Sequence, residues 1–119
     1  MSRARRGETI KGWLSARPDS KEGRFIQVGN TLLLSKTFQE LSTGAQHTYL
    51  CMAMESGGKR EFTFPRAAAI KYGISARSLL RYIEELIEAK FITARSGKTV
   101  RQPSEYAFSF EWKSREVDK

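Results

Sequence analysis

Two arginines stand one helical turn apart in the middle of the chain. Arg77 and Arg81 are four positions apart and Ser78 adjoins the first of them, so the opening turns of a helix would present all three side chains. An arginine guanidinium group can donate two parallel hydrogen bonds to the edge of guanine, and a serine hydroxyl can bond to a base edge or a phosphate. These residue types at this spacing indicate that the side chains recognise a ligand by hydrogen bonding and that no covalent bond is made or broken.

The helix that must position these side chains is predicted from about Ser75 to Ala89. Ser75 is a good N-cap because its hydroxyl can accept hydrogen bonds from the amides of the next turn. Gly73 supplies the backbone freedom that the preceding tight turn needs. Apolar residues recur at helical spacing and are expected to face inward: Ala76, Leu79, Leu80, Ile83, Leu86 and Ile87. The helix is then basic where it begins and acidic, from Glu84 onward, where it ends.

A shorter, alanine-rich helix is predicted before that turn, with Pro65 at its start. No acidic residue lies between Glu61 and Glu84, and the basic residues of this interval are Arg66, Lys71, Arg77 and Arg81. A second interval without acidic residues runs from Glu88 to Glu105 and holds Lys90, Arg95, Lys98 and Arg101. Carboxylates repel phosphates, so a surface that binds a duplex requires such intervals. The alternative is that these charges only solvate a face.

The run from Ala68 to Ser75, AAIKYGIS, begins a pattern that resembles the winged helix-turn-helix DNA-binding domains. The pattern continues through Ser78, Arg81, Ile83, Leu86 and Phe91-Ile92. The resemblance covers roughly Leu41 to Trp112. It departs from the family at Lys90, where many members carry a glycine between the helix and the first wing strand.

The resemblance implies an α+β fold, with a three-helix core and a small antiparallel β-wing after a basic N-terminal arm and a short strand. It also implies a recognition helix in the DNA major groove and a wing tip at the minor groove or along the phosphates. We expect Arg77 and Arg81 at base edges and Arg66 and Lys71 on the backbone, with amides near Ser75 binding a phosphate. The candidate DNA-binding residues are Arg66, Lys71, Ser75, Arg77, Ser78, Arg81, Arg95, Lys98, Thr99 and Arg101.

The chain is predicted to divide into a flexible arm over residues 1–24, one domain over residues 25–113 and a polar tail over residues 114–119. The arm has seven basic and three acidic residues, a net charge of +4, and few large apolar side chains. It is interpreted either as a segment that contacts phosphates or a minor groove, or as a disordered tail that keeps the protein in solution.

The first half of the domain is predicted to hold a short strand at 25–28 and two helical segments. Ser35 is expected to cap a helical turn that runs to Leu41, and Ser42 or Thr43 to cap a helix that ends near Ser56. The apolar side chains of this longer helix share one broad face: Ala45, Tyr49, Met52 and Ala53. Gly57 then suits the left-handed position that ends a helix.

Strands are predicted at 61–64, at 91–95 and from Ser104 onward, with a turn at 96–99 between the last two. In the last strand aromatic residues alternate with smaller or polar ones: Tyr106, Phe108, Phe110 and Trp112. A platform for base stacking is one interpretation of this row. The favoured one is that the aromatic face closes the core over the helices, since such alternation is typical of a half-buried sheet.

The composition of the 119 residues limits the function. A net charge of +8 predicts attraction to polyanions, nucleic acid first among them. One cysteine and one histidine leave no intrachain disulfide, no metal cluster and no paired nucleophile, and no phosphate-binding loop is present. The adjacent Glu84 and Glu85 are interpreted as solvating a helix surface. We therefore expect no enzyme activity and no cofactor. No apolar run reaches the length of a membrane span and no secretion signal follows Met1, which predicts a cytoplasmic protein without a membrane partner.

The favoured hypothesis is a sequence-specific double-stranded DNA-binding protein that acts as a small transcriptional regulator. One alternative is a DNA-binding accessory protein of plasmid or mobile-element replication or transfer, because the stretch from Leu32 to Leu50 is loosely similar to the entry of plasmid replication initiator domains. Another is a protein-interaction module on a winged-helix scaffold. A homodimer formed through the N-terminal strand or the arm stays open.

Overall fold

The computed structural model describes residues 8–11, 14–19, 23–95 and 105–113. Within these ranges the chain is a mixed α+β protein, with five helices and two antiparallel sheets of three strands each. The elements in chain order are β1 (Glu8–Lys11), β2 (Leu14–Asp19), β3 (Gly23–Val28), α1 (Asn30–Leu33), α2 (Lys36–Gln39), α3 (Thr43–Ser56), β4 (Glu61–Phe62), α4 (Arg66–Lys71), α5 (Ala76–Glu88), β5 (Ile92–Arg95) and β6 (Glu105–Phe108). The predicted α+β class is thus confirmed.

Most of the predicted N-terminal arm belongs to the first sheet in the structure. Its order is β1-β2-β3, and β2 pairs with β3 from Leu14 opposite Val28 to Asp19 opposite Gly23. Leu14 and Ala16 lie on the same face of β2 and are fully buried, and Leu14 belongs to the main hydrophobic core. The prediction of a flexible arm over residues 1–24 is therefore wrong for β2. It also disagrees with the structure at β1, which pairs with β2. The burial of Leu14 and the pairing of β2 with β3 hold this segment against the domain, although it has few apolar residues.

Helix α3 runs through the centre of the core. The Ser42 hydroxyl accepts a hydrogen bond from the Ala45 amide at 3.2 Å, and Gly57 ends the helix in the left-handed conformation, with a φ of 67°. Both boundaries confirm the prediction. The predicted apolar face is also confirmed, since all four of its residues are buried: Ala45, Tyr49, Met52 and Ala53.

The turn between α4 and α5 has the geometry that its residues predict. Gly73 has a φ of 83° and donates its amide hydrogen to the Ile70 carbonyl at 2.9 Å, while the Ile74 amide bonds to Ala69 at 2.9 Å. These two hydrogen bonds form a Schellman motif, in which a left-handed residue satisfies the last carbonyls of a helix. The Ser75 hydroxyl then accepts from the Ser78 amide at 3.2 Å and caps α5.

The inner face of α5 is narrower than predicted. Leu79, Ile83 and Leu86 are buried as expected, but Leu80 is 49% exposed and does not face the core. The expectation that Leu80 faces inward is therefore wrong. The core lies on one side of α5 only, along the row of Leu79, Ile83 and Leu86, and Leu80 falls on the flank beside that row.

The turn after α5 contains the one residue outside glycine, among those described, that has a positive φ. Lys90 has a φ of 73°, its amide bonds to the Ile87 carbonyl at 3.0 Å, and the Phe91 amide bonds to Leu86 at 2.9 Å. This is a second Schellman motif, with lysine at the position that glycine occupies at least cost.

The second sheet has the order β4-β6-β5, so the last strand lies between the other two. Tyr106 and Phe108 are buried, as the aromatic alternation predicts. The alternation fails after Phe108, where β6 ends, and the Lys113 amide bonds to the Phe110 carbonyl at 3.1 Å in a helical turn. Phe110 is consequently half-buried, whereas Trp112 is fully buried in a helical turn.

No helix in the described part of the chain combines the length and the apolar composition that crossing a bilayer requires.

Candidate nucleic-acid interface

The outer face of α5 carries an exposed row of side chains at positions i, i+3, i+4 and i+7: Arg77, Leu80, Arg81 and Glu84. We call these four residues the outer row of α5. They share one side of the helix because three- and four-residue spacings bring side chains together. The opposite side of α5 is anchored in the core, so the outer row stands on a rigid element. Its first two turns are basic and Glu84 marks the start of the acidic part.

The arginines of this region have no acidic partner among the described residues. The ion pairs between described residues join Lys71 to Glu55 and Arg95 to Glu105, which leaves Arg66 at the start of α4, Arg77 and Arg81 without one. Arg66, Arg77 and Arg81 are all exposed. An unpaired, exposed guanidinium group keeps its full donor capacity for a ligand.

Arg81 rests against an aromatic ring. Its guanidinium carbon lies 5.3 Å from the centroid of the Tyr82 ring, a cation–π distance. The Tyr82 ring in turn packs directly against Gly44 of α3, where any Cβ atom would collide with it. The Arg81 side chain is therefore drawn toward the flank of α5 that faces α3, while Arg77 has no such contact among the described residues.

Lys71 is tied to α3 through Glu55. Its Nζ atom lies 3.0 Å from Glu55 Oε1, and the Tyr72 hydroxyl donates to the same carboxylate at 2.8 Å. Burial by itself raises the pKa of Glu55, but the hydrogen bonds from Tyr72 and Lys71, with the charges of Lys71 and Arg24, outweigh it and lower the pKa. Burial and the bond to Glu55 raise the pKa of Tyr72 to about 12. This cluster fixes the end of α4, so Lys71 has a structural role and its charge is paired with that of Glu55.

Arg24 is a basic residue of the predicted arm that the structure uses internally. Its Nη1 atom donates to the Met54 carbonyl at 2.7 Å, at the end of α3. A cation at the C-terminus of a helix binds one of the last carbonyls and complements the helix dipole. Arg24 therefore joins the first sheet to α3.

The histidine and cysteine of the chain also take structural positions. His47 Nε2 lies 3.2 Å from the Tyr72 carbonyl oxygen, at the end of α4, and 3.5 Å from the Cys51 sulfur. Burial, and then the charge of Glu55, raise the pKa of the Cys51 thiol to about 11. The thiol is thus protonated at neutral pH, and its packing explains its presence in α3.

Glu85 has a role that the sequence did not indicate. Its two carboxylate oxygens accept hydrogen bonds from the amide and the hydroxyl of Ser42, at 2.7 and 2.8 Å. The interpretation of Glu85 as a solvating residue is therefore wrong. Ser42 and Glu85 lie 43 positions apart, and no local pattern connects them.

The remaining candidate residues lie at the start of α5 and in the predicted wing. Ser75 is exposed and Ser78 half-buried, and both lie at the start of α5. Arg95 ends β5, where its guanidinium group lies 3.3 Å from Glu105 with both side chains largely exposed. Lys98, Thr99 and Arg101 of the predicted wing tip lie outside the described residues.

Comparison with known proteins assigns no family to the chain. No family model matches the sequence, and neither a curated protein nor a solved structure matches it significantly.

Proposed function

We propose that the chain is a sequence-specific double-stranded DNA-binding protein with a winged helix-turn-helix domain, and that it acts as a small transcriptional regulator. In this proposal α5 is the recognition helix in the major groove. Helix α4 lies across the DNA backbone, and strands β5 and β6 belong to the wing.

The observation that carries the proposal is the set of unpaired arginines on α4 and α5. Arg66, Arg77 and Arg81 are exposed and have no acidic partner among the described residues. DNA phosphates would supply the missing anions and guanine edges the missing acceptors. The inner side of α5 is anchored by Leu79, Ile83 and Leu86, so the helix can present these donors without rearrangement.

The order of the elements supports the same proposal. Helix α3, strand β4, helices α4 and α5 and strands β5 and β6 follow one another in the winged-helix order, and β4 joins the sheet beside β6. The glycine turn at Gly73 joins two short helices as a helix-turn-helix unit requires. An accessory protein of plasmid or mobile-element replication or transfer would use the same surface.

A protein-interaction module is the competing function of another class. Its support is the exposure of two large apolar side chains on the same helices, 62% for Ile70 and 49% for Leu80. Exposed apolar residues are common singly, and interfaces need a contiguous patch. The unpaired arginines beside Leu80 make a polyanion the better partner for this face.

A salt titration of duplex binding tests the proposal. Fluorescence anisotropy with a mixed-sequence DNA duplex should give an affinity whose logarithm falls with the logarithm of salt concentration, at a slope of about −5 to −7. Arg66→Ala should make the slope shallower by about one. Lys36→Ala is the matched control, because Lys36 is an exposed cation on α2, which lies against the acidic end of α5. A slope near zero for the unaltered protein would remove nucleic acid as the partner.

A further inference from the structure

We infer that Leu80 is a specificity-determining residue that recognises thymine, by packing its side chain against the C5 methyl group of that base in the major groove. The inference rests on the proposed function, because it needs α5 to enter a DNA groove. It adds to the proposed function the type of base, thymine, that the outer row of α5 selects beside the bases that its arginines contact.

The first support is that Leu80 has no role in the core. Leu79, Ile83 and Leu86 fill the inner side of α5, and Leu80 remains 49% exposed. It is the one large apolar side chain of α5 that is exposed. The fold therefore gives no packing reason for a leucine at this position, where a polar residue would serve a solvated helix equally well.

The second support is the position of Leu80 between two cations. It follows Arg77 by three residues and precedes Arg81 by one in sequence, so the outer row presents an apolar group beside two donors. A duplex major groove offers this combination, because guanine presents acceptors and thymine presents a methyl group. A protein partner with a purely apolar surface would leave both guanidinium groups buried without an acceptor, which is costly.

The length of the basic part of α5 limits where the contact can fall. Glu84 lies one turn after Leu80 and is exposed. A carboxylate is repelled by phosphates, so the part of the outer row that can approach the duplex closely consists of Arg77, Leu80 and Arg81. Leu80 is the apolar member of that short row, and the thymine should lie within a few base pairs of the guanine that an arginine contacts.

Removal of single methyl groups from the DNA tests this inference. The preferred duplex is first selected from a random pool with the unaltered protein, and each thymine of that duplex is then replaced by deoxyuridine in turn. We expect one replacement to weaken binding about fourfold, the factor that corresponds to one buried methylene-sized group. Leu80→Ala should bind the thymine and deoxyuridine duplexes equally, whereas Leu80→Met should still distinguish them.

Leu34→Ala is the control, since Leu34 is a 69% exposed leucine that lies beyond the last residue of α1. It should retain the full sensitivity to deoxyuridine. The inference is overturned if the selected duplex holds no thymine whose methyl group matters, or if Leu80→Ala keeps the same sensitivity as the unaltered protein. It is also overturned, together with the proposed function, if the unaltered protein shows no salt-dependent duplex binding. Salt-dependent binding without any methyl effect overturns the thymine contact alone.

Discussion

The carboxylate of Glu85 in α5 accepts two hydrogen bonds from Ser42, one from the amide at 2.7 Å and one from the hydroxyl at 2.8 Å. Ser42 is the N-cap of α3, and its hydroxyl also accepts from the Ala45 amide. One acidic residue of α5 thus holds the start of α3, where a negative charge complements the helix dipole. This contact fixes the helix that presents the outer row to the helix at the centre of the core.

Glu85→Ala should therefore destabilise the fold. Loss of two hydrogen bonds to a charged group, discounted for exposure, should lower the free energy of unfolding by about 1–2 kcal/mol. Glu84→Ala is the matched control, because Glu84 is exposed and has no such contact among the described residues, and it should change stability by less than about 0.5 kcal/mol. Urea denaturation followed by circular dichroism measures both. Equal effects of the two substitutions would show that the contact contributes nothing.

Tyr49→Phe should stabilise the protein. The Tyr49 side chain is fully buried between Phe91 and Phe108, and its hydroxyl has no hydrogen-bond partner among the residues that the structure describes. Burial raises the pKa of this hydroxyl, which stays protonated. Because a buried polar group without a partner costs free energy, its removal should raise the free energy of unfolding by about 1 kcal/mol.

Tyr72→Phe is the contrasting variant for that measurement. The Tyr72 hydroxyl does have a partner, Glu55, at 2.8 Å. The same chemical change should therefore lower stability at this position. A loss of stability in Tyr49→Phe of the size seen in Tyr72→Phe would mean that the Tyr49 hydroxyl is satisfied in solution.

Acid should weaken the protein partly through Glu55. The hydrogen bonds from Tyr72 and Lys71 and the nearby charges lower its pKa in the folded state despite burial, so its ionised form stabilises the fold. This stabilisation is complete above the ordinary pKa of about 4.5 and is lost as the pH falls through the lower, folded value. The free energy of unfolding of the unaltered protein should drop more steeply below pH 4.5 than that of Glu55→Gln. Parallel curves for the two proteins would contradict the role of the cluster.

Lys90→Gly should raise stability. Lys90 holds a φ of 73°, a conformation that costs a residue with a Cβ atom about 1–2 kcal/mol. Glycine removes this cost but loses more chain entropy on folding, so the net gain should be about 0.5–1 kcal/mol. Gly73→Ala makes the reverse change at a φ of 83°, where an added Cβ atom meets no neighbour, and should lower stability. Thermal denaturation of both variants measures the direction of each change in stability, and a loss of stability in Lys90→Gly would contradict the prediction.

Signals that lie within one turn of chain were predictable from the sequence. The Ser42 and Ser75 caps, the left-handed Gly57 and the Gly73 turn each depend on a few neighbouring residues, and the structure has all of them. The position of the candidate arginines on one exposed helix face was predictable for the same reason.

Features that depend on distant contacts were not predictable. Burial of Leu14 requires the pairing of β2 with β3, and the burial of Trp112 requires the chain to leave the strand at Ser109. The bond between Ser42 and Glu85 joins segments that meet only after folding. The exposure of Leu80 depends on how wide a strip of α5 the core covers, which helical spacing alone does not specify.

The most direct test of the central claim compares two arginine variants on two duplexes. Arg77 begins the outer row of α5, and Arg66 begins α4. Affinities of Arg77→Ala and Arg66→Ala are measured by fluorescence anisotropy on the selected duplex and on a scrambled one. If α5 reads bases, Arg77→Ala should lose about 1–3 kcal/mol of binding to the selected duplex and much less to the scrambled one. Arg66→Ala should weaken both alike. Equal losses on both duplexes for Arg77→Ala would contradict base recognition by α5.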